Sequence, residues 1–145
     1  MSRTRPTSRQ RQNVIARAGG RCEYCLAPQK YSNAPLAVEH IYPVARGGLT
    51  VMGNLAFACG GCNGHKADKI EARDPQTGET APLFHPRRQK WRAHFAWDSA
   101  DQTQVIGLTQ TGRATVAALQ LNRQPLANLR WLLYLSYEHP PVKDE

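Results

Sequence analysis

The segment LAVEHIYPVARGGLTVMGNLAFACGGCNGHKADK, residues 36–69, decides the fold of this chain. Within this short stretch lie Glu39, His40, two asparagines and a Cys-x-x-Cys pair. A second Cys-x-x-Cys pair, Cys22 and Cys25, stands just upstream. Because both pairs have metal-ligand spacing and lie around a segment that carries a histidine, the pattern indicates a chemical site as well as a core.

The apolar residues of this segment predict two strands followed by a helix. Residues 36–41 are rich in Leu, Val and Ile and end before Pro43, and residues 54–59 form a second strand-like run. The composition of residues 63–72 favours a helix with Asn63 near its N-terminus. The predicted order is therefore strand, loop, strand, helix.

The four cysteines have the spacing of a metal site. One tight turn can aim both thiolates of a Cys-x-x-Cys pair at a single ion, and two such turns complete a tetrahedral sulfur site. Zinc suits this ligand set best, with iron as a rival. A redox pair and buried free cysteines are the alternatives, but two pairs around one compact segment favour structural zinc on Cys22, Cys25, Cys59 and Cys62. Since such a site is closed, we expect chemistry elsewhere.

The chain has 145 residues and a formal net charge of +8. Its length suits one compact domain with extensions. Positive charge is densest at the start, where several arginines, among them Arg9 and Arg11, precede Glu23, the first acidic residue. Such a field favours a polyanion such as nucleic acid. A solvated basic tail that aids solubility explains the charge equally well.

Membrane and secretion signals are absent from the sequence. No apolar run approaches the ~20 residues of a membrane span, and the N-terminus lacks the apolar segment of a signal peptide. We therefore expect a cytoplasmic protein without a membrane partner. In a reducing compartment, cysteine pairs hold a metal more often than they form disulfides.

The sequence around the two cysteine pairs suggests three parts. Thr7 followed by Gln10 has the pattern of a capping box and predicts a helix that ends before Cys22. We divide the chain into a basic flexible tail over residues 1–7, a domain over residues 8–73 with both cysteine pairs, and an extension over residues 74–145 that packs on this core.

The extension is predicted to mix helices and strands. The predicted elements are a strand over residues 104–108, a helix over 112–121 and a helix over 125–137. Thr109 or Thr111 can cap the first of these helices. The last helix is expected to bury Leu129, Leu132 and Leu133.

The segment LFHPRRQKWRAHFAW, residues 83–97, mixes basic and aromatic side chains. Arg87 and Arg88 could grip a nucleic-acid backbone while an aromatic ring stacks on a base. The alternative is a lid in which Trp91, Phe95 and Trp97 cover the small core. The sequence leaves both interpretations open.

On these motifs the sequence resembles the HNH endonuclease family. The matching features are CEYC, VEHIYPVARGG, GNLAFACGGCN and Lys66, which occur in the family's order and spacing over about residues 21–69. The C-terminal segments LFHPRRQKWRAHFAW and GLTQTGRATVAALQLNR also look like the extension of small stand-alone bacterial or phage HNH proteins. The resemblance implies an α+β fold. On this resemblance, a small ββα-metal core, also called a His-Me finger, would be held together by structural zinc and would carry an N-terminal helix and an α/β C-terminal extension.

The resemblance also implies roles for four residues. Glu39 would bind a catalytic divalent ion, His40 would be the general base that activates water, Asn54 would hold the loop that orients His40, and Asn63 would be the second metal ligand. The chain departs from the commonest family pattern, because Glu39 stands where Asp is more frequent and Asn63 where the last His often stands. Two oxygen ligands suit Mg²⁺ or Mn²⁺.

The implied reaction is hydrolysis of DNA phosphodiester bonds. A histidine with a pKa near ~6.5 and one divalent cation can supply the base and the charge stabilisation that this reaction requires. Double-stranded DNA is the expected partner, and a protein partner that supports cleavage is a further alternative. The residues expected to contact nucleic acid are Lys66, Arg46, Arg9, Arg11, Arg87 and Arg88. A zinc-scaffold module that binds DNA without cutting it is the rival function.

Each of these residues also has a purely structural interpretation. Asn63 could cap a helix, Asn54 could shape a turn, and Glu39 could be a surface charge. His65 could approach the metal or a phosphate, or simply face solvent. Adjacent strand residues point to opposite faces, so Glu39 and His40 share a site only if the strand bends or ends there.

Overall fold

The computed structural model describes residues 4–142 and divides into two compact units. The first unit runs through Ile70 and includes His85–Arg88. The second unit consists of Glu71–Phe84 and the chain from Gln89 onward. Part of the predicted tail, residues 1–3, lies outside the described residues.

Helix α1, Ser8–Arg17, opens the first unit. The Thr7 hydroxyl accepts a hydrogen bond from the backbone N–H of Gln10 at 3.1 Å, and the Gln10 side-chain oxygen accepts one from the N–H of Thr7 at 2.9 Å. The predicted capping box is therefore confirmed. After the helix, Gly19 and Gly20 both have positive φ, a conformation that glycine adopts without a steric penalty.

A ββα unit follows. Strand β1, Ala37–His40, pairs antiparallel with strand β2, Leu55–Ala58, in a register that places Glu39 opposite Ala56. Every residue of β2 is buried. Helix α2, Gly60–Lys66, comes directly after β2. The predicted strand, loop, strand, helix order is confirmed.

Helix α2 lies earlier in the chain than the predicted span of residues 63–72. It begins with the glycines of the second Cys-x-x-Cys because the Cys59 sulfur caps it, accepting a hydrogen bond from the backbone N–H of Cys62 at 3.5 Å. It ends at Lys66, because the next residue, Ala67, has a φ of 50° and so departs from the helical region. The predicted extension to residue 72 is wrong, since Glu71–Arg73 form strand β3 instead.

The loop between β1 and β2 is compact. It contains two short 3₁₀ turns, Val44–Arg46 and Met52–Asn54. A Cβ at Gly48 would lie 1.8 Å from the carbonyl oxygen of Tyr42, so only glycine fits at this close approach of the backbone.

Up to residue 142, where the description ends, the second unit contains two hairpins and three helices. The hairpins pair β3 with β4, Thr80–Pro82, and β5, Phe95–Trp97, with β6, Val105–Gly107. The helices are α3, Trp91–His94, α4, Gln110–Ala118, and α5, Gln124–Leu135. Together with the ββα unit, these elements confirm the predicted α+β class. No helix among residues 4–142 has both the length and the apolar character needed to cross a membrane.

The predicted details of the second unit are only partly correct. Thr109 caps α4 by accepting a hydrogen bond from the N–H of Gly112 at 3.0 Å, as expected. Within α5, Leu133 is buried, but Leu132 is 63% exposed, so its predicted burial is wrong. The buried face of α5 instead includes Arg130, whose long side chain takes a core position. Strand β5 was not predicted.

An ion pair braces the second unit. The side chain of Asp74 is fully buried and accepts hydrogen bonds from two nitrogens of the Arg113 guanidinium, at 3.0 and 2.9 Å. Asp74 also accepts from the backbone N–H of Gln76 and the hydroxyl of Thr77. The carboxylate therefore ties the turn after β3 to helix α4.

Candidate metal centre and catalytic site

The four cysteine sulfurs meet in the first unit. All four Sγ atoms lie within 4.8 Å of one another, and the Sγ atoms of Cys25 and Cys59 are 3.7 Å apart. A tetrahedral zinc site with Zn–S bonds of about 2.3 Å has sulfur–sulfur edges of about 3.8 Å. The cysteines are thus positioned to bind zinc. This ion would join the loop after α1 to the start of α2.

The surroundings of the cysteines suit a bound cation. The backbone N–H of Cys25 donates to the sulfur of Cys22 at 3.5 Å, which favours a thiolate there. Burial raises the pKa of the Cys22 thiol, whereas hydrogen bonds from the other three cysteines lower the pKa of Cys59. A cation would allow all four sulfurs to shed their protons. Among the described residues, no other group of three or more His, Cys, Asp or Glu is placed to share an ion.

Tyr24 links this metal centre to β1. It lies inside the first Cys-x-x-Cys, its ring is fully buried, and its hydroxyl donates to the Glu39 carboxylate. Burial, followed by the negative charge of Glu39, raises the pKa of Tyr24. The hydroxyl therefore stays protonated and remains a donor to Glu39.

Glu39 is enclosed rather than open. Its side chain is 4% exposed, one carboxylate oxygen accepts from Tyr24, and the other lies 3.2 Å from the Lys66 ammonium. Burial raises the pKa of Glu39, while the Lys66 charge and the Tyr24 hydroxyl oppose that rise. Because both oxygens are engaged and a cationic group already sits beside them, this arrangement does not fit the predicted role of metal ligand.

Lys66 is also placed differently from the prediction. Its side chain is 1% exposed, and its ammonium donates to the carbonyl oxygen of Ile41 at 2.8 Å, with that of His40 at 3.5 Å. The predicted contact between Lys66 and nucleic acid does not agree with this burial, since a phosphate cannot reach the ammonium. Lys66 instead fastens α2 to the end of β1.

His40 lies on the other face of β1 and is half-buried. Its Nε2 atom is 2.9 Å from the hydroxyl oxygen of Thr50. Burial and the nearby positive charge of Lys66 lower the pKa of His40, which favours the neutral ring. Such a ring, with one nitrogen anchored, has the properties of a general base near neutral pH.

Asn54 closes the loop that carries Thr50. Its side-chain oxygen accepts from the N–H of Tyr42 at 2.8 Å, and its amide nitrogen donates to the carbonyls of Tyr42 at 3.0 Å and Leu49 at 2.9 Å. These bonds tie the start of the loop to its end. Asn54 thus has the contacts that its predicted loop-holding role requires.

Asn63 stands one turn before Lys66 in α2, on the side of the helix that meets β1. It is half-buried. Its amide could offer one neutral oxygen, whereas Mg²⁺ takes six oxygen ligands and is usually bound through at least one carboxylate. With Glu39 paired to Lys66, Glu39 and Asn63 together do not form a divalent-cation site as they stand.

Three of the predicted nucleic-acid residues present their charge to solvent. Arg9 on α1 and Arg88 are exposed, as is Arg46, whose Nε donates to the carbonyl of Asp68 at 2.8 Å. Their remaining guanidinium donors are available to a phosphate.

Arg11 and Arg87 are committed to contacts within the protein. Arg11 donates to the carbonyl of Leu36 at 2.9 Å and lies 5.8 Å from the ring centre of Phe57. Arg87 pairs with the carboxylate of Glu23, and burial lowers its pKa to about 10. Both residues therefore have fewer free donors for a phosphate.

Two contributors to the site were missed from the sequence, Thr50 and Tyr24. Thr50 is the hydroxyl-bearing residue within the otherwise apolar run LTVM, and this contrast was the available signal. Tyr24 gave no signal, because an aromatic residue inside a Cys-x-x-Cys is compatible with many environments.

One comparison with known proteins gives a match, which is to a family model. Residues 22–69 match the model of the HNH endonuclease family. The matched segment contains the four cysteines, both strands of the ββα unit and α2. No curated protein and no solved structure matches the chain. The match to the family model covers about a third of the chain.

Proposed function

We propose that this chain is a metal-dependent HNH endonuclease that hydrolyses phosphodiester bonds in DNA, with His40 as the general base. The observation that carries the proposal is the state of His40: a ring whose pKa is lowered, anchored through Nε2 to Thr50 at the edge of a braced loop. The match of residues 22–69 to the HNH family supports a nuclease.

His40 can accept a proton from water. Nε2 is occupied by its contact with Thr50, and Nδ1 has no hydrogen-bond partner among the described residues. A neutral imidazole whose pKa lies below its usual ~6.5 is already deprotonated near pH 7. His40 could therefore deprotonate a water molecule aligned with a phosphorus atom.

The family resemblance also implies Mg²⁺ or Mn²⁺. Such an ion would stabilise the negative charge that builds up on the phosphate oxygens. Of the two ligands predicted for this ion, Glu39 is paired with Lys66, and only the neutral amide of Asn63 remains. Metal dependence therefore rests on the resemblance, and adding or chelating divalent ions tests it.

Charge supports nucleic acid as the substrate. The chain carries a net charge of +8, and Arg46 belongs to the same loop as Thr50. Exposed arginines around a site attract the phosphate backbone without reading its sequence. Double-stranded DNA is the form that we propose for the first assay.

The rival function is binding of DNA without cleavage. The Glu39–Lys66 pair favours it, because it occupies the carboxylate that a catalytic ion would use. In that case the ββα unit, held together by zinc, would serve only as a scaffold for DNA binding. Binding would then survive the loss of His40.

Plasmid nicking by wild type, His40→Ala and His65→Ala, in Mg²⁺, Mn²⁺ and excess chelator, separates the two functions. His65 is a suitable control because it is a second half-buried histidine of the same domain. We expect wild type and His65→Ala to nick DNA only with added ion, and His40→Ala to be at least about 100-fold slower, the size of a lost general base. Equal cleavage by His40→Ala would contradict the role of His40. DNA binding without cleavage under all conditions would favour the rival.

A further inference from the structure

Thr50 and His40 form a contact whose direction decides which ring nitrogen can act as a base. Thr50 follows His40 by ten residues, across the β1–β2 loop, and its Oγ1 lies 2.9 Å from Nε2. A neutral imidazole carries one N–H donor and one acceptor nitrogen. Either the ring donates from Nε2 and Nδ1 is the acceptor, or the threonine donates to Nε2 and the ring proton is on Nδ1.

Thr50 is held from two directions. The side-chain amide of Gln10 donates to the carbonyl oxygen of Thr50 at 3.2 Å. The same Gln10 side chain closes the capping box of α1 through Thr7, so its position is set by the helix. On the other side, Asn54 donates to the carbonyl of Leu49, the residue before Thr50. The hydroxyl therefore stands on a braced backbone rather than on a free loop.

We infer that Thr50 is a positioning residue that accepts a hydrogen bond from Nε2–H of His40, fixing the ring in the tautomer whose free lone pair is on Nδ1. The inference rests on the proposed role of His40 as a base. If Thr50 donated to Nε2 instead, the ring would carry its proton on Nδ1 and neither nitrogen could accept a proton from water.

The proposal also extends to Gln10. Its amide group has two tasks: the oxygen belongs to the capping box, and the nitrogen supports Thr50. Gln10→Glu keeps an oxygen for the cap and removes the donor to Thr50. The N-terminal helix lies outside the matched residues 22–69, so on this proposal Gln10 carries support for the site from outside the matched segment.

The first test reads the tautomer without any need for cleavage. The full chain is labelled with nitrogen-15 in its histidines, and the ring nitrogens are observed at about pH 8, well above the usual histidine pKa of ~6.5. The spectrum of His40→Ala identifies the signals of His40 among the five histidines. We expect only the Nε2–H tautomer in wild type and in Thr50→Ser, and both tautomers, with faster exchange of the ring proton, in Thr50→Val. A proton on Nδ1 in wild type, or an unchanged spectrum in Thr50→Val, would overturn the proposal.

The second test uses the nicking assay on the same variants. Thr50→Val preserves the shape of the side chain and removes the hydroxyl, and Thr50→Ser preserves the hydroxyl. We expect kcat to fall about tenfold in Thr50→Val with KM unchanged, to recover in Thr50→Ser, and to fall by a smaller factor in Gln10→Glu. Should Thr50→Val unfold, the wild-type and Thr50→Ser spectra still decide the tautomer. If His40 carries its proton on Nε2 but the protein never cuts DNA, the result would count against the proposed function alone. If Thr50→Val cuts DNA as fast as wild type, the result would count against the role of Thr50 alone.

Discussion

Glu39 and Lys66 form a buried ion pair, with 3.2 Å between the carboxylate oxygen and the ammonium nitrogen, directly beside the backbone of His40. The pair joins β1 to α2, and Tyr24 extends it to the loop of the first two cysteines. The charge of Lys66 also contributes to the lowered pKa of His40. The family resemblance assigns the Glu39 carboxylate to a catalytic ion. In the structure, this carboxylate instead belongs to an ion pair that lies beside the backbone of His40, the proposed base.

Removing one member of this pair should destabilise the domain. Lys66→Met leaves the Glu39 carboxylate buried without its cation, and we expect a loss of about 3 kcal/mol in the free energy of unfolding. In the double variant Glu39→Gln, Lys66→Met the loss should be smaller than the sum of the single losses, because no unpaired charge remains. Denaturant unfolding measures all three. The exposed Lys69→Met is the control and should change stability by no more than about 0.5 kcal/mol. Additive losses would mean that the two side chains are not coupled.

The four cysteines should hold one zinc ion that the fold requires. Metal analysis of freshly purified, reduced protein is expected to find about one zinc per chain. Cys59→Ser, or a strong chelator, should lower the thermal unfolding temperature sharply, since binding energy at such a site is folding energy. Metal-free protein with an unchanged unfolding temperature would contradict the assignment.

The Asp74–Arg113 pair should make stability depend on pH in the acid range. Hydrogen bonds from Arg113 lower the pKa of Asp74 to about 2, below the ~3.9 of an unfolded chain. A carboxyl group with a lowered pKa in the folded state stabilises the fold above the unfolded pKa, and this contribution disappears as the pH falls from about 4 to about 2. Urea unfolding of wild type and Asp74→Asn across this range should show a steeper loss in wild type. Parallel curves would rule out this contribution.

The rate of cleavage should show an acid limb below the usual histidine pKa. Only the neutral ring can accept a proton, so activity falls as the pH drops through the pKa of His40, which burial and Lys66 lower. We therefore expect the midpoint of the acid limb of kcat/KM to lie below about pH 6.5, the value at which an ordinary histidine is half protonated. A midpoint at or above this value would mean that His40 does not govern the limb.

The salt dependence of DNA binding should distinguish exposed arginines from packed ones. Arg46→Gln and Arg88→Gln each remove an exposed charge, and each should lower the slope of log K against log salt by about 1 if that arginine meets a phosphate. Arg11→Gln is the matched control, because Arg11 is bound to the carbonyl of Leu36 and should alter the slope much less. Equal changes in slope for all three variants would show that the exposure of an arginine does not determine whether it contacts a phosphate.

Several features followed from the sequence alone, because they depend on neighbours in the chain. Thr7 and Gln10 lie within one helical turn, so their capping box was readable from spacing. The paired spacing of the cysteines likewise predicted their cluster. The alternation of apolar runs and glycines predicted the ββα order, although not that Cys59 would begin α2 before Asn63.

The environment of the charged and proposed catalytic side chains was decided only by tertiary structure. The sequence alone is compatible with Glu39 facing either a metal ion or Lys66. The outcome depends on how helix α2, which carries Lys66, packs against β1. The contact between His40 and Thr50 likewise needs the loop that Asn54 closes and Gln10 supports. Local spacing determines which elements form and which ligands can converge. The partner of a buried charge or ring nitrogen depends on which remote residues the completed fold brings within hydrogen-bonding distance.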